Sequence, residues 1–334
     1  METLKKLSRM LASHTAPFVI AAAAVAFFAP SMFAWVKGSN QIAILFVIMF
    51  SMGLTLTAED FQLLAKRPWD IFIGAVAQYT IMPFLAYALA KVFRLPDEIA
   101  VGLILVGCSP GGISSNIMSF LCGGDVPFSV GMTTASTLLA PIMTPMMVLL
   151  LAGERIEVPA AGMFVSIVEA VVLPVFIGFL LNHFYGRTKR FHDIQQVMPS
   201  VAVVGLALIV GGVISLQGAN FFTAGVVIFL AVFAHNALGY LLGYMVGRFF
   251  GMSTAKKRTL SIEVGMQNAG LATGLAMAHF AVYPHAALAA AVSCAWHSIS
   301  GTLLAGWFAK RDEKEEANEL EADVSMNDLA KHQA

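Results

Sequence analysis

A carboxylate and two carboxamides lie close together in a stretch of chain that is otherwise apolar. They are Glu263, Gln267 and Asn268, within the sequence IEVGMQNAGLATGLAM that begins at Ile262. All three side chains carry oxygen atoms that can bind a cation, and only Glu263 supplies a negative charge. A carboxylate inside a membrane span costs at least ~2.5–3.5 kcal/mol and is functional by default. If this stretch lies in a membrane, Glu263 therefore requires a partner.

Further oxygen-bearing side chains interrupt other apolar segments. Neutral oxygens around a single carboxylate suit a monovalent cation, whereas transition metals prefer clusters of His or Cys, which the sequence lacks. An alternative interpretation is that these residues form hydrogen bonds between packed helices. Taken together, the set favours ion binding. The additional oxygen donors are Gln78, Ser114, Ser115, Asn116, Ser129 and Thr133.

The composition places these residues in a membrane. Of the 334 residues, 58% are hydrophobic and 12% are charged, against about 25% charged residues in soluble domains. The mean hydropathy is +0.78, and the runs 198–216 and 221–247 are long enough to cross a bilayer. The sequence therefore predicts an all-α membrane protein with several spans. Its formal net charge of zero gives no indication of a nucleic-acid partner.

Glycine, proline and charged clusters divide the chain into ten predicted spans. The basic segment before the first span is similar to the start of a signal peptide, but the charge distribution and an internal repeat both require this helix to be retained. The predicted spans are 13–35, 40–57, 70–93, 97–122, 126–152, 157–184, 197–216, 221–250, 256–282 and 284–309.

The Lys and Arg residues orient these spans. With the N-terminus inside, sixteen of the twenty lie on the cytoplasmic side, and only Lys37, Lys91, Arg94 and Arg155 lie outside. Positive charge accumulates on cytoplasmic loops. We therefore expect a multi-pass protein with both termini in the cytoplasm, ending in a charged tail.

The chain repeats itself at an offset of about 158 residues. VGCSPGGISSNIM (106–118) aligns with VGMQNAGLATGLA (264–276), and AQYTIMPFLAYALAKVF (77–93) aligns with AHNALGYLLGYMVGRFF (234–250). Because the repeat unit has an odd number of spans, the second copy enters the membrane from the opposite side. Such inverted repeats are typical of secondary transporters, whose sites lie near the midplane where helices are broken.

Both segments of the first alignment are predicted to be broken helices. Pro110 removes a backbone donor, and the glycines that follow it add backbone freedom. The second segment has no proline, so its break is inferred from Gly265, Gly270 and the repeat. Asn268 lies ten residues past Arg258, which is ~15 Å of helix, or about half of a ~30 Å hydrocarbon core. The break is therefore expected at the midplane.

The motifs SPGGISSN, IEVGMQN, WHSISG, FSMGLTL and AQYTIMP resemble those of the bile acid:sodium symporter family (BASS), particularly its bacterial members. The resemblance extends over nearly all of residues 10–310. It implies ten transmembrane helices in two inverted five-helix repeats, with helices 4 and 9 broken and crossing. It also implies a panel domain (helices 1, 2, 6 and 7; residues 1–66 and 156–217), a core domain (67–155 and 218–310) and a charged cytoplasmic tail (311–334).

The same resemblance implies two sodium ions behind the crossover and a substrate cavity between panel and core. Ile113 and Ser298 stand where similar bacterial relatives often have Thr and Asn, so these two positions bear on substrate identity. The implied ligands of one sodium ion are Ser115, Asn116, Ser129, Thr133 and Glu263. Those of the other are Gln78, Glu263, Gln267 and the carbonyls of Val264 and Met266. The implied substrate-binding residues are Ile113, Asn268, His297 and Ser298.

The expected function is sodium-coupled symport of an organic anion by alternating access in a bacterial inner membrane. The expected substrate is a small carboxylate such as pantoate or a related keto or hydroxy acid, and the expected partners are this anion and the bilayer. An alternative is a proton-coupled carrier or exporter on the same scaffold, with Glu263 titrating. An intramembrane enzyme is disfavoured because paired aspartates, HExxH and a Ser–His protease context do not occur. Nothing in the sequence requires an oligomer or a nucleic-acid partner.

Overall fold

The computed structural model describes residues 5–333 with the exception of 7, 9, 12–14, 113, 218, 219 and 284. For residues 63, 64, 217, 220–224 and 312–333 it describes the backbone alone. Ile113, one of the expected substrate-binding residues, therefore lies outside the described residues.

The described residues are predominantly α-helical, as the composition predicts. A short 3₁₀ turn at Pro30–Met32 follows the first helix, and a π-helical segment at Val168–Val172 joins two others. The α-helices are α1 (Thr15–Phe28), α2 (Ser39–Gly53), α3 (Ala58–Lys66), α4 (Pro68–Val92), α5 (Asp97–Gly107), α6 (Ser114–Leu121), α7 (Val126–Ala152), α8 (Ala160–Ile167), α9 (Leu173–Tyr185), α10 (Lys189–Gln195), α11 (Met198–Gln217), α12 (Asn220–Phe249), α13 (Thr254–Gly265), α14 (Ala269–His279) and α15 (Ala286–Gln333).

Six helical segments of the described chain are long and apolar enough to cross a membrane, and each overlaps a predicted span. The helices α1 and α2 are apolar but shorter. The six segments are Pro68–Val92, Val126–Ala152, Ala160–Tyr185, Lys189–Leu216, Gly225–Phe249 and Ala286–Arg311.

The structure also contains elements that the hydropathy pattern did not predict. The short helices α3 and α10 lie in segments expected to be loops, and the π-helical segment interrupts the span that starts at Ala160. Thr188 begins α10 because its side chain accepts a hydrogen bond from the Phe191 amide (3.3 Å), the usual role of an N-cap threonine. The last helix continues past the predicted end of its span to Gln333.

The two predicted breaks are present. One separates α5 from α6 at Pro110, and the other separates α13 from α14 at Met266–Asn268. Each break leaves two half-helices in place of one continuous span, and the half-helices α6 and α14 both begin inside the protein. The breaks therefore place helix N-termini and unwound backbone at the depth of the polar side chains.

Two glycines allow α2 and α9 to cross closely. A Cβ atom on Gly178 would lie 2.7 Å from the Gly53 carbonyl carbon and the Leu54 nitrogen, and one on Gly53 would lie 2.3 Å from the Val175 carbonyl oxygen. These neighbours are backbone atoms, which cannot rotate away. Small residues at such contacts are a common basis of helix association in membranes, where backbones approach each other directly.

We expect Gly178→Ala to lower the free energy of unfolding by ~1–3 kcal/mol, because overpacking forces the two backbones apart. Gly306→Ala is the matched control, since a Cβ atom there meets nothing within 4 Å. Thermal unfolding of both purified variants in the same detergent would test this. Equal melting temperatures in the two variants would contradict the close crossing.

Candidate functional site

The two unwound segments pair with each other through their backbones. The Gly112 amide donates to the Met266 carbonyl (2.9 Å), and the Asn268 amide donates to the Pro110 carbonyl (2.8 Å). Together they form an isolated antiparallel bridge between Gly111 and Gln267. Irregular backbone at membrane depth is tolerated only where it is buried in protein or lines a wet cavity. Each break thus supplies part of the hydrogen bonding that the other has lost.

The Glu263 carboxylate lies beside this crossover and is almost completely buried, with 1% of the residue exposed. Three hydroxyl groups donate to it. Ser115 Oγ donates to Oε1 (2.6 Å), Thr133 Oγ1 donates to Oε2 (2.8 Å), and Ser129 Oγ also contacts Oε1. The partner that a buried carboxylate requires is therefore a group of hydroxyls from α6 and α7.

This group contains more acceptor oxygens than protons. Ser129 Oγ lies 2.8 Å from Asn116 Oδ1 and 3.0 Å from Ser119 Oγ in addition to its contact with Glu263, yet a hydroxyl has one proton to donate. Asn116 Oδ1 is also 3.3 Å from Thr133 Oγ1. Crowded oxygen atoms with surplus lone pairs and one negative charge are the surroundings that a hard monovalent cation prefers.

The five residues expected around the first sodium ion are thus brought together by the fold. Ser119 was missed by the sequence reasoning, although it lies one helical turn from Ser115 and Asn116 on α6 and its spacing could have placed it on the same face. Within the described residues, no group of three or more His, Cys, Asp or Glu side chains could hold a metal ion.

A second group of polar atoms surrounds Gln78 on α4. Gln78 Nε2 donates to the Ser109 carbonyl (3.0 Å) and to Gln267 Oε1 (2.5 Å), and Gln267 Nε2 donates to the Val264 carbonyl (2.6 Å). Two acceptors on its nitrogen fix the orientation of the Gln78 amide. Its Oε1 atom is then buried without a hydrogen-bond partner, which leaves a carbonyl-type oxygen available as a ligand.

The structure brings four of the five expected ligands of the second ion into hydrogen-bond contact around the crossover. Gln78 donates to Gln267, and Gln267 donates to the Val264 carbonyl, while the Met266 carbonyl accepts from Gly112 of the other break. Within the part of the chain that the structure describes, the Glu263 carboxylate accepts its hydrogen bonds from the first group. Glu263 is linked to the second group through the chain, since Val264 is the next residue.

A cavity of about 130 Å³ lies on the other side of the crossover. Its walls come from α1, α2 and α11 on one side and from the crossover and α15 on the other. Asn268, His297 and Ser298, three of the four expected substrate-binding residues, all line it. The remaining wall is largely apolar, with Leu45 and Leu206 among its residues.

The polar groups of this cavity are amide and hydroxyl side chains, one histidine and helix N-termini. Asn268 Oδ1 caps α14 by accepting from the Leu271 amide (3.0 Å), and α6 begins at Ser114 on the same wall. His297 Nδ1 lies 3.4 Å from the Gln267 carbonyl, while its Nε2 is buried without a partner. The described lining residues include no Lys, Arg, Asp or Glu. An anion here would be met by helix dipoles and hydrogen-bond donors.

Glu169, the other carboxylate of a predicted span, belongs to neither group. It lies in the π-helical segment Val168–Val172 and is exposed. Asn236 on α12 was not singled out by the sequence, yet its Nδ2 donates to the Gly265 carbonyl at the end of α13 (2.8 Å). It therefore contacts the crossover from outside.

The chain is similar in sequence to known sodium-dependent transporters. The model of the "Sodium Bile acid symporter family" matches residues 42–224, more than half of the chain. An uncharacterised sodium-dependent transporter of Bacillus subtilis (strain 168), YocS, is 41% identical over 327 residues, covering 98% of this chain and 100% of the relative.

Plant relatives are similar over most of the chain. The probable chloroplastic sodium/metabolite cotransporter BASS1 of Arabidopsis thaliana is 41% identical over 277 residues, covering 83% of this chain and 68% of the relative. The probable chloroplastic sodium/metabolite cotransporter BASS2 of Oryza sativa is 35% identical over 315 residues, covering 92% and 73%. The names of these relatives describe transport and not an enzymatic reaction, in agreement with the sequence analysis. The chain belongs to the sodium bile acid symporter family of multi-pass membrane transporters.

Proposed function

We propose that the protein is a sodium-coupled symporter of small organic anions that works by alternating access. The observation that carries this proposal is the buried Glu263 carboxylate among surplus hydroxyl and amide oxygens, directly behind the crossover that lines the cavity. Cation and anion sites that share one pair of broken helices are energetically coupled, because each ligand orders the same backbone.

The proposed topology has ten spans in two inverted repeats. The six long apolar segments, the two shorter helices α1 and α2, and the two broken segments together account for this number. Contacts of α11 with α1 and α2, and of α9 with α2, support a panel domain of residues 1–66 and 156–217. The core domain then comprises residues 67–155 and 218–310, with both termini and the tail 311–334 in the cytoplasm of a bacterial cell.

We propose that this structure represents the inward-facing state of the transporter. Thr15 and Pro199, at the predicted cytoplasmic ends of α1 and α11, line the cavity. Toward the opposite side, panel and core are in contact. Ser166 Oγ lies 2.9 Å from His279 Nε2, and Gln41 Nε2 donates to the Thr273 carbonyl (3.4 Å). Transport would require these contacts to separate while the inner side closes.

Two sodium ions are proposed. The first would bind among Ser115, Asn116, Ser129, Thr133 and Glu263, with the hydroxyls rotated so that their lone pairs face the ion. The second would bind between Gln78, Gln267 and the carbonyls of Val264 and Met266, with Glu263 supplying the negative charge. The free Oε1 atom of Gln78 supports this second position.

The volume of the cavity favours a small substrate. Its volume of about 130 Å³ is below the range of about 300–1,000 Å³ found for pockets of drug-sized ligands. A compact carboxylate such as pantoate, or a related keto or hydroxy acid, suits a site with a few hydrogen-bonding groups on an apolar wall. Asn268, His297 and Ser298 would contact its polar end.

Glu263→Gln should abolish sodium-dependent uptake while leaving a folded, membrane-inserted protein. Removing the charge that faces a buried cation costs about 2–5 kcal/mol, so sodium should bind more than about tenfold more weakly. Glu169→Gln is the control, because it removes an exposed carboxylate of another span. Uptake into proteoliposomes would be measured with sodium and proton gradients applied separately. Normal sodium-driven uptake by Glu263→Gln would exclude the two-ion assignment, and wild-type uptake driven by protons alone would exclude sodium coupling.

The two sodium positions can be tested one at a time. Ser129→Ala and Gln78→Ala should each raise the sodium concentration for half-maximal uptake by about tenfold, since each removes one buried ligand. Because sodium and substrate binding are linked, the apparent substrate affinity should fall at low sodium in both variants. Thr134→Val serves as the control, because its buried hydroxyl has no hydrogen-bond partner. Unchanged sodium titrations in both test variants would contradict the assignment.

Substrate choice should depend on Ser298. Ser298→Asn adds a carboxamide to the cavity wall, so more hydroxylated carboxylates should gain up to about tenfold in relative affinity through an additional hydrogen bond. Sodium dependence should be unaffected. A competition series of anions against one labelled substrate would measure the ranking. An identical ranking in variant and wild type would show that this position does not select the substrate.

A further inference from the structure

Three consecutive carbonyls at the end of α13 are each held by a different donor. Val264 accepts from Gln267 Nε2 (2.6 Å), Gly265 from Asn236 Nδ2 (2.8 Å) and Met266 from the Gly112 amide (2.9 Å). The last carbonyls of a helix have no partner within the helix, so their direction depends on such external donors. Two of these donors belong to the crossover itself. The third, Asn236, belongs to α12.

Asn236 donates to the middle of these three carbonyls, that of Gly265. Its neighbours on either side, those of Val264 and Met266, are the proposed backbone ligands of the second sodium ion. Each peptide plane is rigid and shares a Cα atom with the next, so a rotation of the Gly265 plane must be absorbed by the φ and ψ angles beside it, which also orient the neighbouring carbonyls. Asn236 is itself completely buried, so the loss of its side chain would leave the Gly265 carbonyl without this donor and away from bulk water.

His235, the residue before Asn236 on α12, contacts α4, the helix that carries Gln78. His235 Nε2 contacts the Met82 carbonyl (3.0 Å), and a carbonyl acceptor requires that this nitrogen carries the proton. Met82 lies one helical turn beyond Gln78 on α4. One turn of α12 therefore contacts both the helix that carries Gln78 and the helix that carries the carbonyls.

Close packing makes this connection rigid. Gly239 lies one turn further along α12, and a Cβ atom there would lie 2.6 Å from Met82 Sδ and 3.1 Å from the Gly265 Cα atom. At Gly243 a Cβ atom would lie 2.7 Å from the Leu260 carbonyl oxygen. The backbones of α12 and α13 therefore approach each other directly, while the Met82 side chain of α4 packs against Gly239, so α12 fixes the separation of α4 and α13.

We propose that Asn236 is a positioning residue for the second sodium ion, which it does not contact. It orients the carbonyls at the end of α13, while His235 sets the position of α4 relative to them. The inference rests on the proposed sodium-coupled function. Selectivity among alkali cations depends on the number, size and rigidity of a set of oxygen ligands. Asn236 should therefore affect which cation binds as well as how tightly.

The test replaces the donor by an apolar side chain of similar size. In Asn236→Leu, the sodium concentration for half-maximal uptake should rise about tenfold, since a buried carbonyl is left unpaired and turns from its present direction. The preference for sodium over lithium should decrease, while maximal uptake at saturating sodium is retained. Cation-dependent thermal stabilisation of the purified protein, titrated with sodium and with lithium, gives the same comparison without transport.

Asn182→Leu is the matched control. Its Nδ2 donates to the Leu56 carbonyl (2.6 Å), just beyond α2, and its Oδ1 accepts from Gln195 Nε2 (2.8 Å). Asn182→Leu therefore removes a donor to a backbone carbonyl away from the crossover, and cation preference should not change. If Asn236→Leu does not fold, Asn236→Ala replaces it with the same expectation. A wild-type sodium-to-lithium preference in the Asn236 variant, or an equal shift in both variants, would overturn the inference. Absence of sodium dependence in the wild type would overturn the proposed function instead.

Discussion

The structure depends on burying one carboxylate among helices. Glu263 is almost fully enclosed, and desolvation of a charged carboxylate costs several kcal/mol unless hydrogen bonds or an opposite charge compensate it. Three hydroxyls supply part of this compensation. Hydroxyls can rotate to present either a proton or a lone pair, so the same group can surround a bare carboxylate or a carboxylate with a bound cation. This property suits the proposed sodium site, which would fill and empty in each transport cycle.

The unwound backbone at the crossover imposes the second constraint. Both breaks lie inside the protein, and each places peptide groups where no regular helix satisfies them. Their mutual hydrogen bonds, between Gly112 and Met266 and between Asn268 and Pro110, solve this problem and also fix the two breaks to each other. A displacement of one half-helix therefore changes the surroundings of both the carboxylate and the cavity. Close contact of this kind gives a physical route for coupling between two ligands.

The two aligned halves of the chain carry different residues at the positions of Glu263 and Gln78. At the offset that aligns the two breaks, Leu105 corresponds to Glu263, and Leu105 is fully buried. At the offset that aligns the preceding spans, His235 corresponds to Gln78. The half with the carboxylate can favour a cation, whereas its counterpart presents an apolar side chain at the equivalent position. The repeat in the sequence thus carries a buried carboxylate at this position in one half only.

The sequence by itself determined the helical class, the approximate membrane segments, both breaks and most of the oxygen-bearing residues. These features are local, because hydropathy, proline and glycine act through the nearest turns of the chain. The family resemblance assigned the polar residues to two sodium sites and one substrate site without knowledge of their contacts. The tertiary structure decided which oxygens lie within hydrogen-bond distance, and it added Ser119 and Asn236. Asn236 occupies an ordinary position in an apolar helix, and only the close approach of α12 to α13 brings it to the Gly265 carbonyl. Helices α3 and α10 and the π-helical segment likewise depend on packing and end effects, for which the hydropathy pattern carries no signal.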